Sequence, residues 1–428
     1  MRPDRLKVGH QRRWRPYRRW LRLVRTVVVC AIVAAATFVA IGRSSAGSRV
    51  TVGAGPNTGK RDKASLAGRA ATTGTPSPAS APAPSLAGMP PVIDGNVYAA
   101  DRAGMLSPAV AGFPSLVYVP NGKSDTLSVV DPHTYRVVAT VPVGCNPQHV
   151  VPSWDLKTLW VLNDDCNSLT ALDPATGRPG RTIPVDDPYN LYFTPDGRFA
   201  IVVSEARQSL VFRDPHTMAP VHPLALDCPG VDHMDFTADG RYAIASCEFS
   251  GRLAKIDIGA QKLVGYLDLG VKFMPQDVKA SPDGKVFYVA DQTAGGVWKI
   301  DPDRFVRTGF IPTGVGPHGL YPSRDGTELY VSNRGLGTGA GSVSVISFAA
   351  AKVVATWPLA GHTSPDMGGV SADGKVLWLS GRYDGAVYAI STADGRLVAR
   401  IPVGAGPHGL CVYPQPGRYS TGHTGDLR

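Results

Sequence analysis

The sequence predicts an all-β fold: a seven-bladed β-propeller closed by pairing its C-terminal strand with its N-terminal blade, preceded by one N-terminal transmembrane helix and a flexible linker. Three observations carry this. First, the stretch IPVGAGPHGL at Ile401–Leu410 has near-copies at Ile311–Leu320 (IPTGVGPHGL) and Val141–Val150 (VPVGCNPQHV). Units aligned on it start at Pro147, Pro188, Val231, Pro275, Pro317, Pro365 and Pro407, between 41 and 48 residues apart. A period in the forties built of short strands is the signature of a radial array. Second, each unit reads as four strands; from Val150 they are VVPSWD, KTLWVLN, NSLTALD and RPGRTIPV, apolar runs separated by turn residues. Third, both ends of the array are partial. Ser115–Gly144 supplies the second, third and fourth strands of a unit, and Gly409–Tyr413 (GLCVY) supplies a first strand. The last strand therefore completes the first blade and leaves no open edge.

Taken in order, residues 1–25 carry ten Lys/Arg against one acid, a net +9 out of the chain's formal +10. They form a basic cytoplasmic tail, and the nearly neutral remainder offers no electrostatic case for nucleic acid. Residues 26–42 (TVVVCAIVAAATFVAIG) are uncharged; as a helix of about 25 Å they make a short membrane span. The positive-inside rule then gives a single-pass plasma-membrane signal anchor with the propeller extracytoplasmic. Cleavage near Ser44-Ser45-Ala46 and secretion is the alternative.

Residues 43–85, rich in Ala, Pro, Ser, Thr and Gly, are expected to be a disordered linker. Residues 86–114 are a lead-in segment packing on the repeat body, 115–414 the propeller and 415–428 a C-terminal tail. Within the repeats, Asp196-Gly197, Asp239-Gly240, Asp283-Gly284, Asp325-Gly326 and Asp373-Gly374 are predicted to close the first hairpins through primed turns, which need positive φ.

In a propeller the loops leading into the innermost strands open on one end of the central channel. The two residues after each repeat start therefore form a ring that includes His149, Asn190, Asp232, His233, Gln276, Asp277, His318, Asp366 and His408. The loops between second and third strands share that face and add Asn163, Glu205, Arg207, Glu248, Asp291, Asn333, Arg334 and Arg382. A funnel of imidazoles and carboxylates with a guanidinium rim is a binding-site candidate. The competing reading is a water-filled channel without a specific ligand.

Transition-metal binding needs about three imidazole or carboxylate donors at one point. His149, His233, His318 and His408 are the metal candidates, with a divalent ion at the channel mouth left open as a cofactor. Hydrolysis would use His318 or His408 as general base near Arg334 or Arg382. The chain has no G-x-S-x-G, no phosphate-binding glycine loop and no dinucleotide fingerprint.

Of six cysteines, Cys30 lies in the membrane segment. Cys145 and Cys166 occupy two loops of one blade that share the mouth face, and Cys228 and Cys247 occupy the matching places two blades later. Disulfides Cys145–Cys166 and Cys228–Cys247 are expected, as is an oxidising exterior. Cys411, in an apolar strand, is expected to be a buried thiol.

LYVSNRG at Leu329–Gly335, followed by GSVSVIS, KVVATWPL and the SPDG-type turns, resembles the bacterial YVTN-repeat family of seven-bladed β-propellers. The resemblance covers residues 115–414, with Tyr330-Val-Ser-Asn333 and Trp160-Val-Leu-Asn163 nearest to the family's tetrapeptide. It implies the propeller fold and an exported location; related propellers serve as binding platforms, lactonases and parts of redox enzymes. The reading that follows is a membrane-tethered extracytoplasmic module that docks a protein, glycan or small molecule at a His/Asp-lined mouth, without catalysis. The rival is a lactonase-like or metal-dependent enzyme using the same mouth.

Overall fold

The computed structural model describes residues 85–428, which include no helix long and apolar enough to cross a membrane. The basic tail, the membrane anchor and nearly all of the linker lie outside the described residues. Seven sheets surround a central axis, and six consist of four antiparallel strands. Numbered in chain order from blade 1, the innermost strands of their four-stranded units are Cys411–Tyr413, Pro147–Pro152, Asn190–Phe193, Val231–Phe236, Pro275–Ala280, Pro317–Pro322 and Pro365–Val370. Blade 2 sets the pattern: innermost Pro147–Pro152, then Leu159–Asn163, Ser168–Asp173 and outermost Arg178–Pro184. Burial grades outward, complete along Pro147–Pro152 and nearly absent along Arg178–Pro184. Apolar side chains of adjacent sheets interlock between blades, as in the cluster joining Phe193 and Val202 of blade 3 to Trp160 and Leu162 of blade 2.

Ring closure occurs in blade 1, where Cys411–Tyr413 pairs antiparallel with Leu116–Asn121 in the register Leu116↔Tyr413, Val117↔Val412 and Tyr118↔Cys411. The glycine of the repeated Pro-Val-Gly and Pro-Thr-Gly steps is fixed by close packing. A Cβ on Gly144 would meet Asn163 Cγ at 2.6 Å, and one on Gly314 would meet Asn333 Cγ at 2.7 Å. Those asparagines staple the loops: Asn163 Oδ1 accepts from the Gly144 N–H at 3.1 Å, while its Nδ2 donates to Ser168 Oγ and Thr170 Oγ1.

The Asp-Gly hairpins differ from the primed turns expected. Only the glycine has positive φ, 70° at Gly197 and 71° at Gly240. The aspartate keeps ordinary backbone geometry because its carboxylate is otherwise engaged: Asp196 Oδ1 accepts from Thr194 Oγ1 and from the Arg198 N–H.

Both flanking segments fold onto the face carrying these turns. Tyr98 of the lead-in donates to the Ala280 carbonyl at 2.8 Å, and Asp101 pairs with Arg324. Residues 415–428 are almost wholly buried. Ser420–Gly422 and Asp426–Leu427 extend blade 3 inward to six strands. His423 N–H donates to the Leu191 carbonyl at 2.9 Å, Thr424 Oγ1 to the Gly368 carbonyl at 2.7 Å, and Arg428 pairs with Asp235 at 2.7 Å. Lys279, almost fully buried, pairs with Asp426. The segment expected as a tail thus plugs one end of the channel.

Candidate functional site

The innermost strands carry the ring residues inward, and the plug closes over them from below. His149, His233, His318 and His408 are at most 2% exposed, as are Asn190, Asp232, Gln276, Asp277 and Asp366. This is a packed polar centre; the open, solvated funnel drawn from the repeats does not form around these side chains. A fifth imidazole, His423 of the plug, completes it and is also fully buried.

The rings pack against one another. His149 lies 4.8 Å from His408, 5.6 Å from His233 and 5.7 Å from His423 between ring centroids. His233 lies 4.7 Å from His423 and 5.7 Å from His318. Two sets offer metal-ligand atoms within 4.8 Å of one another: His149, His233 and His423, and Asp232, His233 and His318.

On the blade 6 and 7 side, Asp366 is the hub. It accepts from His408 Nδ1 at 2.7 Å and from Arg334 Nε at 2.6 Å, lies 3.1 Å from His318 Nδ1, and stands 3.8 Å from Arg382 Nη1. Burial alone would raise its carboxyl, but Arg334, then His318 and Arg382, hold it below the usual carboxylate range. Burial, followed by nearby cationic side chains, pushes His318 and His408 well below the ordinary histidine value. His149 is lowered to about 3, chiefly by burial. Burial thus favours the uncharged form of these rings.

The blade 3 and 4 side is acidic. Burial, then Glu248 and Glu205, raise Asp232 well above its ordinary value. Half-buried Glu205 is pushed up to about 8 by burial and then by Glu248 and Asp164. Tyr189 lies between the two sides, its hydroxyl 3.4 Å from His408 Nε2.

Other sequence candidates have local duties. Gln276 donates to the carbonyls of Met274 and Pro275. Asp277 accepts from the Leu320 N–H at 2.8 Å, joining blades 5 and 6. Asp291 caps its own loop and accepts from Trp298 Nε1. Arg207 pairs with Asp186 at the exposed rim, and Asn333 repeats the loop staple of Asn163. His423 was invisible to repeat reasoning because it lies outside the period. The disulfides Cys145–Cys166 and Cys228–Cys247 are both formed, and Cys411 is a buried free thiol. Two disulfides fit an oxidising, extracytoplasmic compartment.

No curated protein matches the sequence. Among solved structures, a hydrazine synthase chain of Kuenenia stuttgartiensis is 20% identical with a TM-score of 0.56, covering 68% of this chain and 98% of that one. The dihydro-heme d1 dehydrogenase NirN in complex with DHE is 16% identical with a TM-score of 0.55, covering 72% and 76%. A functionally unknown protein from Desulfotomaculum acetoxidans is 13% identical with a TM-score of 0.57, covering 69% and 98%. At these identities the likeness concerns the fold alone. The sequence itself matches the YNCE-like beta-propeller family over residues 80–417, and with seven blades in place the chain belongs to that family.

Proposed function

We propose that this protein is a membrane-tethered, extracytoplasmic propeller that binds a ligand on the face carrying the loops of Glu205 and Arg382. The observation that carries this reading is the unequal treatment of the two faces. The turn-bearing face is covered by the lead-in and by residues 415–428. The opposite face keeps Tyr383, Phe249, Val271 and Val315 exposed around the mouth. Exposed apolar side chains rimmed by charge are common where a partner docks. The tether and the orientation rest on the basic tail and the apolar run of residues 26–42.

The test is in-cell cross-linking of the full chain with Arg382→Glu and Tyr383→Asp combined, beside a control altered at exposed Val138 and Val221 on the outer strands. Loss of a cross-linked species in the mouth variant alone supports the reading; identical patterns from both variants overturn it.

A second reading, acid–base catalysis of the lactonase type, is favoured by the 2.7 Å contact of Asp366 with His408, which orients His408 Nε2 away from the carboxylate. Turnover of a lactone panel, lost in His408→Gln, would move this reading ahead.

A further inference from the structure

We propose that the plugged end of the channel binds one imidazole-preferring divalent ion, zinc or copper(II), through His149, His233 and His423. The inference is independent of what docks at the mouth. The three residues come from blade 2, blade 4 and the plug, yet one nitrogen of each lies within 4.8 Å of the others. A tetrahedral ion with metal–nitrogen distances of about 2.0–2.1 Å holds its nitrogens roughly 3.3 Å apart, which small ring rotations bring within reach.

The protonation pattern suits the role. His149 Nδ1 lies 2.8 Å from the Tyr189 carbonyl. A carbonyl only accepts, so the ring proton is on Nδ1 and the lone pair is on Nε2. Orientation of a ligating histidine by a hydrogen bond from its other nitrogen is the usual outer-sphere arrangement. Nε2 of His149, of His233 and of His423 make no hydrogen bond among the described residues, although His233 Nε2 stands 3.1 Å from Asp232 Oδ1 and His423 Nε2 stands 3.6 Å from Asp277 Oδ2. Of the three, His149 Nε2 presents a lone pair in this arrangement, and the other two rings exchange tautomer on loading.

His233 and His423 share one orienting side chain. Asn190 Nδ2 lies 3.1 Å from His233 Nδ1 and 3.0 Å from His423 Nδ1. In this arrangement the amide donates to both rings and keeps their protons on Nε2. Loading moves the protons to Nδ1 as the amide turns, so that Asn190 Oδ1 accepts from both rings in exchange for the Leu191 N–H from which it accepts at 2.8 Å, and frees the Nε2 lone pairs of both rings.

Charge completes the site. Among the described residues neither oxygen of buried Asp232 makes a hydrogen bond, and Oδ1 stands 3.1 Å from His233 Nε2, off hydrogen-bonding geometry. Once the ion displaces its proton, the Asp232 carboxylate offsets part of a divalent charge. Imidazole donors select zinc or copper over magnesium or calcium.

The experiment uses the full chain, purified in detergent and stripped of metal, titrated with zinc against a chromophoric chelator and with copper(II) under electron paramagnetic resonance. The expected result is one ion per chain, a nitrogen hyperfine pattern from three imidazoles, and binding weakened more than about 100-fold in His423→Gln. Asn190→Ala should lose about 10–100-fold, as outer-sphere partners do. Asn190→Asp, which accepts from both rings without turning, should bind at least as well as the parent. Absence of a stoichiometric ion in the parent chain overturns the proposal, as does a hyperfine pattern without coordinated nitrogen. The parent titration decides even where a histidine variant does not fold. Undiminished binding in a folded His423→Gln also overturns it.

Discussion

His233 and His423 pack edge to face, 4.7 Å between centroids and 70° between planes, one from an innermost strand of blade 4 and the other from the segment that plugs the channel. The contact makes the interior of the propeller a joint product of the repeat and of a stretch outside it.

The plug is held by buried charge, so it should resist piecemeal removal. Lys279 is 2% exposed and its partner is Asp426. Asp426→Ala leaves that ammonium buried and unpaired, at a cost of about 3–5 kcal/mol. Differential scanning calorimetry should give a markedly lower unfolding temperature. Diethylpyrocarbonate should modify His423 and His233, which are protected in the parent. An unchanged unfolding temperature together with retained protection would refute the structural role of the plug.

Asp366 serves Arg334, His318 and His408 together, whereas Arg382 reaches it only at 3.8 Å and is partly exposed. Asp366→Asn is expected to destabilise by about 3 kcal/mol or more, and Arg382→Ala by less than about 1 kcal/mol. Chemical denaturation of both variants measures the contrast; equal losses would contradict it. The fold holds the Asp366 carboxyl below its ordinary range. Its stabilising contribution is therefore present above about pH 4 and is lost as pH falls through the lower folded value.

Asp101 runs the other way. Burial pushes its carboxyl up to about 7, in spite of Arg324 beside it. Between about pH 4 and that value the folded chain keeps a proton that the unfolded chain has released. The stability this group contributes is thus complete below about pH 4 and is lost as pH rises towards 7. The unfolding temperature of Asp101→Asn, taken relative to the parent, should rise by a few degrees between about pH 5 and about pH 8. A constant offset would remove Asp101 from the account.

The two disulfides should open in sequence. Cys145 and Cys166 are exposed, whereas Cys228 and Cys247 are fully buried. Graded reduction followed by alkylation and peptide mass spectrometry should label the first pair before the second. Each closes a loop of about 20 residues, 21 and 19 apart in sequence, and its loss should cost about 3 kcal/mol. Simultaneous labelling of all four would contradict the difference in burial.

Repeat period and turn residues made the blades legible. Innermost strands begin at Pro147, Val231, Pro275, Pro317 and Pro365, the unit starts of the alignment. Ring closure by Cys411–Tyr413 and both cysteine pairs followed from the same register. What the repeats could not convey was enclosure. A residue's place in the period says which way it points, and the histidines do point to the axis. How deeply they are buried depends on the segment of His423, Asp426 and Arg428, which lie in no repeat. Asn163 and Asn333 misled for a related reason: position put them on the mouth face, but their amides are consumed by Gly144, Thr313 and neighbouring hydroxyls. The Asp-Gly turns kept their place and changed their type because the aspartate side chain, silent in a dipeptide signal, closes the loop itself.

Ring closure and plugging both fall within residues 411–428, which carries a kinetic consequence. A chain delivered N-terminus first has six blades available while Leu116–Asn121 still lacks its inner neighbour. Until the closing strand arrives, that apolar edge is open to pairing with another chain. Maturation should therefore be slow and all-or-none, and the crowded, edge-exposed interval before completion is when this protein is most vulnerable to aggregation.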